Sequence, residues 1–200
     1  VAIERLAGSH CQIWGVLNVT HLVQSSAPMT FEGCLVNFTT PQSQLRVAAD
    51  VFVDNESSFT GQGSLRGFAN MDMLLEKNAN LGQTWLINDG DMTIGTDGEE
   101  VGQARVGRFS QSSTGNWNVQ VGGNAPGTLH DHLFVTGSGA ALDGQVDVDL
   151  VDAGNGDFLP IIGQTFEIIN SRGGVAGAFT NLPTSVTANG TLVEWSFVYT

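Results

Sequence analysis

The sequence predicts an all-β protein, a right-handed parallel β-helix (a solenoid) with a C-terminal β cap. Three observations carry that expectation. Short runs alternate apolar and polar residues almost throughout. A Gly-x-apolar-x-apolar unit recurs along the chain. Glycine is abundant, 26 of 200 residues, against only 5 prolines, and it has no collagen-like period. An antiparallel β-sandwich also has short, regularly spaced strands and is the alternative architecture.

The units run "GVLNV" (15–19), "GDMTI" (90–94), "GNWNV" (115–119) and "GQVDV" (144–148), with looser versions at "GCLVNF" (33–38) and "GSLRGF" (63–68). Their opening glycines are Gly15, Gly33, Gly63, Gly90, Gly115 and Gly144. The separations are unequal and average roughly 26 residues, a repeat length at which units stack into solenoids. One unit is too short to bury its apolar face alone, so it must pack on the next. Helical period is a weak competitor. Only "MDMLLEKNAN" (71–80) is a helix candidate, and it has two asparagines and no clear cap.

From about residue 126 the alternating runs lengthen: Leu133 and Val135, then Val146, Val148 and Leu150, then Phe166 and Ile168. The closing "LVEWSFVYT" places Val193, Trp195, Phe197 and Tyr199 on one face, as a lid over a core would require. Residues 1–125 are therefore expected to form the solenoid coils. Residues 126–200 are expected to form a capping β segment continuous with them, shielding the open edge of the last coil.

Charge narrows the partners. Twenty acidic residues against seven basic ones give a net charge of −13. Such a surface repels phosphate backbones, and no basic run offsets it, so nucleic acid is excluded as an expected partner. No apolar run reaches the roughly 20 residues that span a bilayer, so no membrane insertion is expected. The chain opens at Val1, with neither a methionine nor a signal peptide, which fits a processed protein or part of a longer one.

The stretch from Gln111 to Pro183 resembles the C-terminal passenger region of secreted bacterial β-helix proteins, of the autotransporter-like and PEP-CTERM-type exported classes. The matching elements are Gln111 before Gly115, the alternating strand to Val121, and Asp131 leading into "LFVTG". "GQVDVDL", "GQTFEII" and the closing Gly177-x-Phe179 follow in order. The resemblance covers roughly residues 85 to 183. It implies export to the cell surface or beyond, often within a larger polypeptide, and supplies no catalytic residues.

The expected function is a non-catalytic structural protein, a fibre subunit or adhesin stalk that associates with itself or with other surface proteins. A carbohydrate-active β-helix enzyme (a polysaccharide lyase or glycosidase) and a carbohydrate-binding module are the alternatives, and polysaccharide is their partner. Asp89 with Asp91, or Glu99 with Glu100, are the carboxylate pairs a glycosidase would need. Exposed aromatics among Trp14, Trp85, Trp117 and Trp195 would bind sugar, although Trp117 occupies an apolar slot of its unit and is expected in the core. No Gly-x-Ser-x-Gly, His-Glu-x-x-His or phosphate-loop motif is present.

Two clusters are candidate metal sites. His130 and His132 would share a face of a strand, either offering imidazoles to a metal or lying along a solvent-facing edge, with Asp131 as a turn or backbone acceptor. Asp152, Asn155 and Asp157, downstream of outward-facing Asp147 and Asp149, could hold calcium or form an ordinary acidic turn. No other cofactor is expected. Cys11 and Cys34, separated by close to one turn of the repeat, are either buried free thiols or a disulfide between adjacent coils. Four Asn-x-Ser/Thr triplets, at Asn18, Asn37, Asn55 and Asn189, say little about glycosylation, because composition alone gives roughly two.

Overall fold

A computed structural model describes residues 5–6, 11–95, 100–153, 158–181, 186–188, 191–196 and 198. Its described strands are short because each lies along one side of a coil, and the chain turns a corner after three or four residues. β1 (Arg5–Leu6), β2 (Cys11–Ile13) and β3 (Val16–Val19) form the first coil. β4 (Leu22–Ser25), β5 (Met29–Phe31) and β6 (Leu35–Phe38) form the second. β7 (Gln44–Val47), β8 (Val51–Val53) and β9 (Ser58–Thr60) form the third. β10 (Ser64–Gly67) and β11 (Asp72–Leu75) belong to the fourth coil, where a single bridge at Asn80 replaces the third strand. β12 (Trp85–Asn88) and β13 (Asp91–Ile94) begin the fifth.

Beyond that point one corner disappears. β14 (Gln103–Gln111) starts on the third face of the fifth coil and ends on the first face of the sixth, with its register broken at Gly107. β15 (Asn116–Val121) follows on the second face, and β16 (His132–Leu142) repeats the two-faced run. β17 (Gln145–Leu150), β18 (Ile169–Ser171) and β19 (Val175–Gly177) complete the stack. A two-stranded antiparallel hairpin, β20 (Val186–Ala188) with β21 (Thr191–Val193), ends it beside β17.

All described strand pairs except that hairpin are parallel, which makes the chain a parallel β-helix and overturns the antiparallel sandwich. The helix candidate over 71–80 is also overturned. Its Met73, Leu74 and Leu75 lie in strand β11, with Met73 and Leu75 buried, and Asn78 adopts a φ of 70° that no α-helix admits.

The core is made of columns. On the first face Val23, Leu45, Leu65, Leu86, Phe109 and Ala140 lie opposite one another from coil to coil, all buried. On the second, Met29, Val51, Met73, Met92, Trp117 and Val146 do the same. Burying each larger side chain contributes roughly 1.5–3 kcal/mol, which is how three-residue strands hold without local propensity. Polar side chains ladder on the outside too. Asn37 donates its amide to Asn18 Oδ1 at 3.0 Å and accepts the Thr60 hydroxyl at 3.1 Å.

All six glycine-opened units are strands, but they lie in different columns. Gly15 and Gly33 open third-face strands, Gly63 a first-face strand, and Gly90, Gly115 and Gly144 second-face strands. The average spacing of those glycines therefore mixes columns. In true register Cys11 lies opposite Met29, and Gln44 opposite Ser64, both shorter steps than that average. Only late coils reach the longer steps, as where Asn116 lies opposite Gln145. Glycine at position 90 is a packing requirement. A Cβ there would stand 2.3 Å from the Met71 carbonyl oxygen and 2.4 Å from that of Phe68.

The two ends differ. Among the described strands β1, β2 and β3 terminate their columns, so the first coil presents a strand edge, with Trp14 and Val16 exposed beside it. At the far end Phe179 is buried, and Phe158, Phe166 and Trp195 pack partly buried against the core in edge-on contacts of 5.9 Å. Of the aromatic residues on the expected lid face, Trp195 is partly buried against the core, whereas Phe197 and Tyr199 lie outside the described residues. Ile161 and Ile162 remain exposed at this end. Among the described residues no helix is long and apolar enough to cross a membrane.

Candidate functional site

Titratable side chains gather where the rod meets its cap. The chain leaves β15, makes an excursion through Gly123 and Gly127, and returns through His130, Asp131 and His132. All three are buried, so the solvent-facing edge expected for the two histidines is not what forms. The excursion turns back at His130, and backbone groups of the excursion and of neighbouring coils meet His130 and Asp131.

Asp131 is wholly out of solvent and acts as the backbone acceptor that the sequence suggests. Its Oδ1 accepts the Gly102 amide at 2.8 Å and its Oδ2 the Gln120 amide at 2.9 Å. Burial pushes its carboxyl up to about 7, against the lowering effect of those two amides. His130 faces two carbonyls, with Nδ1 2.9 Å from Gly123 O and Nε2 3.1 Å from Glu167 O. Both partners are acceptors, so each contact is a hydrogen bond only where that ring nitrogen carries its hydrogen. The ring also meets Phe166 edge-on at 5.5 Å.

His132 stacks on Phe134, and its Nε2 lies 3.3 Å from Glu167 Oε1 without the alignment of a hydrogen bond. Burial lowers its pKa, while Glu167 opposes that shift. His130 therefore spends its nitrogens on carbonyls and His132 faces a carboxylate. Among the described residues no group of three or more His, Cys, Asp or Glu side chains is placed to hold a metal ion.

Beneath the cap lies a cavity of about 500 Å³. Val119, Val121, Leu142 and Val148 form its floor, Phe166 and Trp195 contribute from the cap, and Glu167 and Glu194 add two carboxylates.

The other expected residues are dispersed. Asp89 is buried at a corner and ion-paired to Arg66. Asp91 accepts the Asn116 side-chain amide at 3.2 Å. Glu100 pairs with Lys77 at 3.4 Å, and Glu99 lies outside the described residues. Asp147 and Asp149 project outward from β17 as expected, and Asp152 is exposed at the following corner. Asn155 and Asp157, the other two residues of the calcium candidate, lie outside the described residues.

Trp117 is fully buried, as its apolar slot requires, and Trp14 is exposed. Trp85 is half-buried under the Arg108 guanidinium, 4.1 Å from its ring. Cys11 and Cys34 are free thiols. Their separation matches the step of a later coil rather than that of the first. Cys11 lies opposite Met29, whereas Cys34 donates its amide to Ser57 Oγ at 3.2 Å in another column.

Sequence reasoning missed one polar device. Asn88 donates to Gln111 Oε1 at 3.1 Å and to Asn116 O at 2.9 Å. Gln111 in turn donates to Gln145 O at 2.6 Å and to Asp143 O at 3.0 Å. These buried amides satisfy carbonyls at two successive corners between the first and second faces, those of the sixth and seventh coils. The recurrence of an amide side chain at the end of a first-face strand, at Asn88 and Gln111, was the available signal.

Comparison with known protein families, curated proteins and solved structures finds no match.

Proposed function

We propose that this chain is a non-catalytic, exported structural protein, a building block of a cell surface or extracellular matrix that works as a fibre subunit or adhesin stalk. The observation that carries this reading is the unbroken inward column from Val23 to Ala140, in register through six coils. Backbone ladders along the rod axis resist proteolysis and extension together, because no coil opens without exposing its neighbours' core. The strand edge of the first coil is a template for axial pairing, so the expected partners are further copies of the chain or other surface proteins. A net charge of −13 keeps such a rod soluble outside the cell, and the resemblance of residues 85 to 183 to exported β-helix proteins agrees with that location.

Electron microscopy of the purified protein, combined with limited proteolysis, tests the reading. Protease-resistant rods or end-to-end polymers are expected. A dispersed monomer that shortens an acidic polysaccharide overturns it in favour of a carbohydrate-active enzyme.

A further inference from the structure

The charges of this chain are sorted by face. From β2 onward, every Lys, Arg, Asp or Glu within the described strands of the first and third faces is an arginine: Arg46, Arg66, Arg105 and Arg108. Every such residue within the second-face strands is an aspartate: Asp72, Asp91, Asp147 and Asp149.

The two sets share a spacing. On the first face Arg46 and Arg66 are register partners in the third and fourth coils. Arg108 lies in the sixth coil, in the Trp85 column, two residues upstream along the strand. On the second face Asp72 and Asp91 are register partners in the fourth and fifth coils. Asp147 lies in the seventh, in the Asn118 column, two residues downstream. Both patterns therefore step one coil, then two, at about 4.8 Å per coil. Two copies of the same coil set side by side with parallel axes bring their touching strands into opposite directions. Two residues upstream on one face then coincide with two residues downstream on the other. With antiparallel axes the one-then-two spacing is reversed and the charges miss.

We propose that the arginine face of one copy docks on the aspartate face of a second copy, with axes parallel and a stagger of one coil. This inference rests on the building-block reading above and names its lateral contact. Arg46 then meets Asp72, Arg66 meets Asp91 and Arg108 meets Asp147. Arg66 already pairs with Asp89 within its own chain, so the outer pairs set the register. Asp91 and Asp147 each accept from Asn116, at 3.2 and 3.0 Å, and a carboxylate has acceptor sites beyond that. The operation is a rotation with a one-coil rise, so it builds an open array rather than a closed ring. Each contact is small, and association depends on concentration.

The test is made at about 0.15 M salt, where the Debye length is about 8 Å and the long-range repulsion of like-charged copies is damped. Sedimentation velocity is expected to show a concentration-dependent oligomer. Arg46→Asp with Arg108→Asp abolishes it, and adding Asp72→Arg with Asp147→Arg to the same chain restores it, each variant being checked for β-sheet circular dichroism. Arg46→Cys with Asp72→Cys forms an intermolecular disulfide several-fold faster than Arg46→Cys with Asp147→Cys. Association unaffected by the arginine changes, not restored by the swap, or favouring the second cysteine pair overturns the proposal. So does a monomeric wild type whose binding to polygalacturonate is lost in the arginine variant, which assigns that face to an anionic polymer. Filaments that survive the arginine changes remove the lateral contact and leave the building-block reading standing. Monomers under every condition remove both.

Discussion

The carboxylate of Asp131 holds the backbone amide of Gly102, in the preceding coil, at 2.8 Å. Its other oxygen holds Gln120, so one buried side chain ties the corner of the fifth coil to the end of β15. Burial raises this carboxyl from 3.8 to about 7, so the folded state keeps a proton that the unfolded chain releases. The folded state binds more protons between those values, and the contribution of Asp131 to stability falls as pH rises through that window. Asp131→Asn is pH-independent at this site. In urea unfolding, the advantage of the wild type over Asp131→Asn is expected to grow by about 1 kcal/mol per pH unit as pH falls from 7 to 5. A constant gap refutes the assignment.

His132 has the opposite sign. Its pKa is lowered by burial, so the unfolded chain binds the proton first. The stability it contributes is present above 6.5 and is lost as pH falls below that value. His132→Phe keeps the stack on Phe134 and removes the titration. The variant is expected to gain stability relative to the wild type between pH 6.5 and 5 in thermal melts, and equal slopes for the two proteins count against the assignment.

Much of the architecture was legible because inward residues recur at every second position, and all six glycine-opened units are strands. Their stacking order was not legible. A three-residue strand such as Val51–Val53 shows only two inward side chains, which is too short a pattern to assign to a column. Met73 and Leu75 fit a helical stripe as well as a strand, and contact with Met92 and Val53 decided between them. The triplet 130–132 was visible as chemistry, but its burial depends on Glu167 and Gly123, which no local spacing links to it.

Gly107 marks the place where third and first faces fuse into one strand. A Cβ there would stand 2.3 Å from the Gln83 carbonyl oxygen and 2.6 Å from its Cα, both backbone atoms that cannot move aside. Gly107→Ala is expected to cost about 3 kcal/mol or more. Gly15→Ala is the control: φ is +82° there, but nothing lies within 4 Å, so only the backbone conformation costs, about 1 kcal/mol. Chemical denaturation of the two variants separates steric exclusion from backbone preference.

The two thiols should differ in reactivity. Burial raises the pKa of Cys34 despite its contact with Ser57, while Cys11 is only half-buried. The thiolate is the reactive species, so native protein titrated with an aromatic disulfide is expected to modify Cys11 quickly and Cys34 only on unfolding. Simultaneous modification of both, or a Cys11–Cys34 crosslink under mild oxidation, contradicts the separate columns in which they lie.

The second-face strands lengthen along the stack, from three residues in β2, β5 and β8 to four in β11 and β13 and six in β15 and β17. At about 3.3 Å per residue the hydrogen-bonded ladder on that side roughly doubles in width from the first coil to the seventh, so the later coils share more backbone with each axial neighbour than the early ones do.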